Sequence, residues 1–290
     1  MNIKDAVEIL RPINCLMGSL TVLIGLLNTR TGINLGILIL NIILGILTYI
    51  FIAGSGMIIN DIYDIEIDKI NRPQRPIPSG RISLIQAKWL YFIILSIGIS
   101  IAVIHCISLN LGFLPLIIAI FFGLMGWVYA KWGKKSGFWG NIIVSISFSI
   151  GMIYGAMLNN SIIPPYIFFF FLTSFFLLLS REVIKGCEDI EGDKKQDVKT
   201  LAIRIGIKRS TYLAGVFSLL AILFFILPAF TSILNRILFI ISMIFGLIIV
   251  SIACVLIFKS KFEHPEFKRI SLFLKIGAFL GLVSFILASI

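Results

Sequence analysis

Charge is scarce in this sequence. Only 13% of its 290 residues are Asp, Glu, Lys or Arg, about half the share usual in water-soluble domains. By contrast 59% are hydrophobic and the mean hydropathy is +1.06. A soluble core of this size could not hide so much apolar side chain, so the composition excludes a water-soluble globular protein. Histidine occurs twice, at His105 and His264, without companions at ligand spacing, and Cys15, Cys106, Cys187 and Cys254 form no CxxC pair. Neither a zinc site nor a disulfide framework is thereby implied, and the cysteines are read as packing thiols and the histidines as structural. Nowhere does polarity alternate over stretches of about 10 residues, which excludes an outer-membrane barrel. Met1 to Leu10 mixes Lys4 with Asp5 and Glu8 and lacks an apolar core with a small-residue cleavage site, so it is not read as a secretory signal. Ile3, Val7 and Leu10 at helical spacing predict a short helix lying at the membrane surface.

What is abundant is apolar sequence in runs near 20 residues. As helices at about 1.5 Å per residue, these are long enough to cross a hydrocarbon layer about 30 Å thick. Nine spans are predicted, at 13–29, 33–59, 89–107, 109–129, 138–158, 162–180, 212–232, 236–258 and 270–290. The cationic residues test that count, because Lys and Arg collect in cytoplasmic loops. With the N-terminus inside, all 25 except Arg30, Arg236 and Lys275 fall on that side. The net charge of +11 then reflects positive-inside bias and attraction to anionic membrane lipid, and argues for no nucleic-acid partner. The expected fold is all-α: a polytopic membrane protein of nine transmembrane helices forming one domain over residues 1–290. It is expected in the cell membrane, multi-pass, with its N-terminus on the cytoplasmic side. Two inner connections, Asn60 to Lys88 and Arg181 to Thr211, are far longer than the rest, and function is sought there.

Ten of the 14 acidic residues fall in those two connections. The first window holds Asp61, Asp64, Glu66 and Asp68; the second holds Glu182, Glu188, Asp189, Glu191, Asp193 and Asp197. On a helix continuing from span 2, Asn60, Asp64 and Asp68 follow at i, i+4 and i+8 and form one stripe, with Asp61 about 100° away. Arg181, Lys185, Asp189 and Asp193 have the same spacing, which reads either as an ion-pair ladder or as half of a metal–phosphate site. Acids crowded at the mouth of a bundle repel one another and need compensation. Carboxylates on two facing helices suit Mg²⁺, which binds through one or two carboxylates plus phosphate oxygens. Asn71-Arg72-Pro73-Gln74-Arg75-Pro76-Ile77-Pro78-Ser79-Gly80-Arg81 cannot form a regular helix. It is expected to hold Arg72, Arg75 and Arg81 on a stiff loop beside the acids, where guanidinium forks bind phosphate. Tyr129, Lys131, Lys134 and Lys135 on another inner loop, and Arg11 and Asn14 at the start of span 1, are further phosphate neighbours. The aromatic run Tyr166 to Phe171, with Phe175 and Phe176, is read as mostly lipid-facing or packing material, with lining of an apolar cavity as the alternative for part of it.

Asn60-Asp61-x-x-Asp64-x-x-x-Asp68 resembles the NDxxDxxxD motif of the UbiA superfamily of intramembrane prenyltransferases, and Asp189-x-x-x-Asp193 resembles its second, DxxxD motif. The resemblance covers the chain: nine helices, acid motifs after the second and sixth, the NRPxRP segment at Asn71 to Pro76, and Tyr129 with Lys134 after the fourth. The runs Lys185 to Asp193, Lys199 to Ala202 and Tyr129 to Asn141 are most similar to the archaeal lipid-ether synthases of that superfamily. The resemblance implies helices ringing a central cavity and Mg²⁺ as cofactor. It also implies transfer of a geranylgeranyl group from geranylgeranyl diphosphate to the free hydroxyl of geranylgeranylglyceryl phosphate.

On this reading Asp64, Asp68, Asp189 and Asp193 are the catalytic residues. Asn60, Asp64 and Asp68 hold one ion and Asp189 and Asp193 the other, with Asp61 and Glu188 as outer or alternative ligands. Arg72, Arg75, Lys134 and Lys185 hold diphosphate, with Tyr129, Arg11, Asn14 and Arg181 as further substrate contacts. Arg11, Arg181 and Lys131 are the candidates for the acceptor's phosphate, and Asp68 for taking the hydroxyl proton. Two alternatives stand beside it: prenylation of an aromatic quinone precursor, and a divalent-cation transporter. Against the second, the acids gather at one membrane face and not at the midplane.

Overall fold

A chain this apolar has one way to satisfy its backbone in lipid, which is to hydrogen-bond every span to itself as helix. The computed structural model describes residues 2–159, 162–190 and 199–290, without the side chains of Asn71 and Lys134. Its elements are α1 (Ile3–Ile9), α2 (Pro12–Asn28), α3 (Leu35–Tyr63), α4 (Ile65–Asn71), α5 (Leu84–Ser108) and α6 (Leu114–Val128). A π turn (Tyr129–Gly133) follows, then α7 (Phe138–Ser149), α8 (Gly151–Asn159), α9 (Pro165–Glu188), α10 (Leu201–Ile205), α11 (Ile207–Ile226), α12 (Arg236–Phe258) and α13 (His264–Leu287). No strand occurs among the described residues. The helix starts carry the expected signals: proline in the first turn of α2, α6, α9 and α13, and a capping box at Ser83 and Gln86 before α5.

Among the described residues eight helical segments are long and apolar enough to cross a membrane, and nine if α1 and α2, bent 53° to each other, count as one span. The expected all-α, polytopic architecture is thus found, with the short helix expected at the N-terminus appearing as α1. The observed helices overrun the expected spans at the charged end. The span expected at 33–59 is Leu35–Tyr63, and the one expected at 162–180 is Pro165–Glu188. Hydropathy ends at the first charge, whereas backbone hydrogen bonding continues past it. Large apolar side chains such as Ile43, Phe121, Ile237 and Phe245 lie exposed on the helices, as lipid-facing residues do.

The two ends of the bundle are built differently. At one end, α2 and α8 meet backbone to backbone: a Cβ at Gly25 would lie 2.1 Å from the Met152 carbonyl, and one at Gly155 2.1 Å from the Val22 carbonyl. Small residues allow this approach where lipid offers no hydrophobic drive for helices to associate. The same end carries a buried amide belt. Asn41 Nδ2 donates to the Leu158 carbonyl and to Asn159 Oδ1, both at 2.9 Å. Asn159 Nδ2 donates to the Leu26 carbonyl at 2.8 Å and to Thr29 Oγ1 at 3.2 Å, and Asn28 Nδ2 to the Phe285 carbonyl at 2.9 Å. His105 Nε2 donates to Asn41 Oδ1 at 2.8 Å, a structural role, as expected. The belt ties together α2, α3, α5, α8 and α13. The described acids of both windows lie at the other end.

Candidate active site

The first acid window begins in the last turn of α3. Asp64 is the joint between α3 and α4, with φ −91° and ψ 3°, and closes α3 and opens α4. The helical ladder nevertheless crosses it: Asp64 N donates to the Asn60 carbonyl at 3.0 Å and Asp68 N to the Asp64 carbonyl at 2.8 Å. The stripe of Asn60, Asp64 and Asp68 therefore survives a break that its spacing did not reveal. Asp61, Asp64 and Asp68 are only 2%, 4% and 4% exposed, and carboxylates so buried are costly unless paired. Arg11 Nη2 bonds Asp61 Oδ1. Arg75 Nη1 reaches Asp61 Oδ1 at 3.3 Å and Asp68 Oδ2 at 2.5 Å. Asn60 Nδ2 donates to Asp64 Oδ2 at 2.9 Å, while Asn60 Oδ1 is buried without a hydrogen-bond partner among the described residues.

Three different local structures deliver these groups. Arg11 occupies the α1–α2 break in the left-handed region, at φ 51° and ψ 62°. Arg75 rides on the proline loop, which Ile77 and Ile82 pin into a core cluster with Ile9, Ile58 and Tyr91. The third arginine of that loop behaves differently from expectation. Arg81 turns away from the carboxylates and bridges to Asp5 at 2.5 Å, to Glu8 at 2.7 and 2.8 Å, and to the Gln74 carbonyl at 2.6 Å. It stitches the loop to α1, and its hydrogen bond to Glu8 holds that carboxyl below its usual range. Arg72 is exposed, and Asn14 is exposed with its main-chain N bonded to the Arg11 carbonyl at 2.9 Å.

The second window starts at the end of α9, where Asp189 N donates to the Lys185 carbonyl at 2.9 Å. Arg181 pairs with its neighbour Glu182 at 2.8 Å, and its Nε is buried without a partner among the described residues. Lys185 and Glu188 are half-buried and Asp189 is exposed. Asp193, with Glu191 and Asp197, lies outside the described residues, so the two-carboxylate half of the second motif is placed only at Asp189. The chain re-enters at Lys199, whose N donates to the Lys135 carbonyl at 3.4 Å. Gly137, at φ 67°, accepts this neighbour because a Cβ there would meet the Lys199 carbonyl at 1.9 Å. Thr200 packs near Gly186 and leaves its buried hydroxyl without a partner among the described residues.

The π turn joins the two windows. Tyr129 lies within electrostatic reach of Glu182, Asp64 and Arg11, so the ends of α3 and α9 face a common space at one end of the bundle. Single π turns of this kind are frequent at functional sites. Lys131 Nζ stacks over Trp127 and Trp132, 4.7 and 5.2 Å from the ring centroids, and Lys134 contributes its backbone to the turn after them. Among the described residues no three acid, cysteine or histidine side chains converge tightly enough to cage a metal. The donor set is nonetheless one for a hard cation: buried carboxylate oxygens beside an amide oxygen with no other partner. Sequence reasoning missed the pairing of Glu182 with Arg181 and the buried Thr200 hydroxyl. Neither has a spacing signal, although Thr200 sits in the Lys199–Ala202 run singled out above.

The model of the UbiA prenyltransferase family matches residues 19–287. The chain belongs to that family. It is 37% identical over 285 residues to the digeranylgeranylglyceryl phosphate synthase of Korarchaeum cryptofilum, covering 97% of this chain and 95% of the relative. It is 35% identical to that of Saccharolobus solfataricus, covering 100% and 98%. A solved structure concerning digeranylgeranylglyceryl phosphate synthase in membranes superposes with a TM-score of 0.83 at 32% identity, covering 99% of this chain and 98% of that one. A UbiA homolog from Archaeoglobus fulgidus bound to GPP and Mg²⁺ shares the fold, with a TM-score of 0.72 at 17% identity, covering 97% and 99%. This is a multi-pass membrane prenyltransferase, and membership of that family sets aside the cation-transport alternative.

Proposed function

We propose that this protein transfers a geranylgeranyl group from geranylgeranyl diphosphate to the free hydroxyl of geranylgeranylglyceryl phosphate. The transfer forms the second ether bond of archaeal membrane lipids and releases diphosphate. The site is the charged end, on the cytoplasmic side of the cell membrane. The observation that carries the reading is the end-to-end similarity to synthases named for that product, with every motif residue present in this chain.

Asn60, Asp64 and Asp68, with Glu188, Asp189 and Asp193, would hold Mg²⁺, which when bound takes up negative charge developing on the leaving diphosphate. The unpartnered Asn60 Oδ1 beside Asp64 supports that role. Arg75, Arg72, Lys134 and Lys185, with the Tyr129 hydroxyl, donate to diphosphate oxygens, contacts that strengthen as the carbon–oxygen bond breaks. Arg11, Asn14 and Arg181 face the acceptor's phosphate; the unsatisfied Arg181 Nε is a cationic donor in want of an acceptor. The apolar helices receive the isoprenoid chain and keep water from the reacting carbon.

The test supplies purified protein in vesicles with radiolabelled geranylgeranyl diphosphate and Mg²⁺, and offers either geranylgeranylglyceryl phosphate or an aromatic carboxylic acid. A new ether product is expected. A prenylated aromatic ring in its place would overturn the acceptor assignment.

A further inference from the structure

Asp61 stands off the Asn60–Asp64–Asp68 face by about 100° of helix, yet at 2% exposure it is the most deeply buried of the described acids. One of its oxygens, Oδ1, serves two cations: Arg11 Nη2 from the α1–α2 break and Arg75 Nη1, at 3.3 Å, from the proline loop. Arg75 continues from there to Asp68, and Arg11 Nη1 rests on Met57 Sδ at 3.9 Å. An oxygen already shared by two guanidinium groups is a poor place for a divalent ion, which would sit against two positive charges. It is a good place from which to hold those groups. Arginine loses much rotamer freedom when ordered, and anchoring it during folding removes that cost from ligand binding. The backbone of Arg11 is committed to the same end, since φ 51° is unfavourable for a residue with a side chain.

We infer that Asp61 is a positioning residue and not a metal ligand: it fixes Arg11 and Arg75 as a pre-ordered pair of phosphate donors. The inference rests on the prenyl-transfer reading for the identity of the ligand. It sets Asp61 apart from Asp64 and Asp68, which the motif resemblance groups with it.

The experiment uses the full-length protein in detergent, with Mn²⁺ affinity read by electron paramagnetic resonance and binding of inorganic pyrophosphate read by calorimetry. Asp61→Asn is expected to leave Mn²⁺ affinity within about twofold and to weaken pyrophosphate about tenfold, the loss of one oriented charge-assisted contact. Asp64→Asn, the reference, is expected to lose Mn²⁺ binding. Adding Arg75→Lys to Asp61→Asn is expected to cost little more than Asp61→Asn alone, because both remove the same arrangement. Loss of Mn²⁺ by Asp61→Asn to the same degree as by Asp64→Asn would overturn the inference. If Asp61→Asn does not fold, Arg75→Lys alone decides, since unchanged pyrophosphate affinity in that variant overturns the inference equally. A wild-type protein that binds neither Mn²⁺ nor pyrophosphate would instead overturn the prenyl diphosphate reading.

Discussion

The amide belt and the charged mouth are both buried polar clusters, at opposite ends of one helix bundle, and they are finished to different degrees. In the belt, both N–H groups of Asn28, Asn41 and Asn159 are used, and what remains unpartnered among the described residues is acceptor only: Asn28 Oδ1 and His105 Nδ1. In the mouth, two of the three buried carboxylates, Asp61 and Asp68, share two arginines while Asp64 takes the Asn60 amide, and among the described residues a cationic donor, Arg181 Nε, and the Asn60 oxygen are left over. A neutral cluster that uses its donors fixes helices against one another. A charged cluster with groups to spare is incomplete by itself and is completed by a ligand. The difference separates a polar site that stabilises from one that binds.

That contrast is broken most sharply at the mouth. Asp64→Ala should lower prenyl transfer by about 10²–10³-fold, the scale set by losing one group that stabilises developing charge, while circular dichroism and thermal unfolding in detergent stay near wild type. Full turnover by this variant would show that the mouth, too, is scaffold. At the other end, Gly155→Ala forces a methyl group onto the Val22 carbonyl and should cost about 1–3 kcal/mol of stability. The change should be seen as a lower unfolding midpoint, with transfer per folded molecule unchanged. Asn41→Leu should cost less, about 1 kcal/mol, because interhelical hydrogen bonds in membranes are individually modest; lost activity without lost stability would contradict the division.

The smallest effect is expected outside both clusters, at the clamp between Arg81 and α1. Arg81 holds the Glu8 carboxyl below its usual value of 4.5, so the bridge contributes in full at neutral pH. Its contribution fades as pH falls below that value and through the lower folded one. A slight drop in unfolding midpoint on acidification, absent in Glu8→Gln, would confirm it; identical pH profiles would remove the clamp from the account.

Much of this was legible in the residues. Apolar runs interrupted by one-sided cationic loops dictate a helical membrane bundle, because lipid leaves the backbone no other partner. The i, i+4, i+8 spacing of Asn60, Asp64 and Asp68 determines a shared face, which persists even though the helix breaks at Asp64. Other outcomes depended on groups distant in sequence. Arg75 and Arg81 occupy one loop, of similar chemistry and flanked alike by proline or glycine, yet one turns to the acids and the other to α1. Which way each turns is decided by where α1 and α3 lie, and no local pattern encodes that. Likewise Asp61 looks like a member of the acid motif in one dimension and becomes the holder of two arginines in three. Periodicity follows from local geometry and can be read along a chain. Pairing among buried charges depends on distances that exist only once the helices have packed.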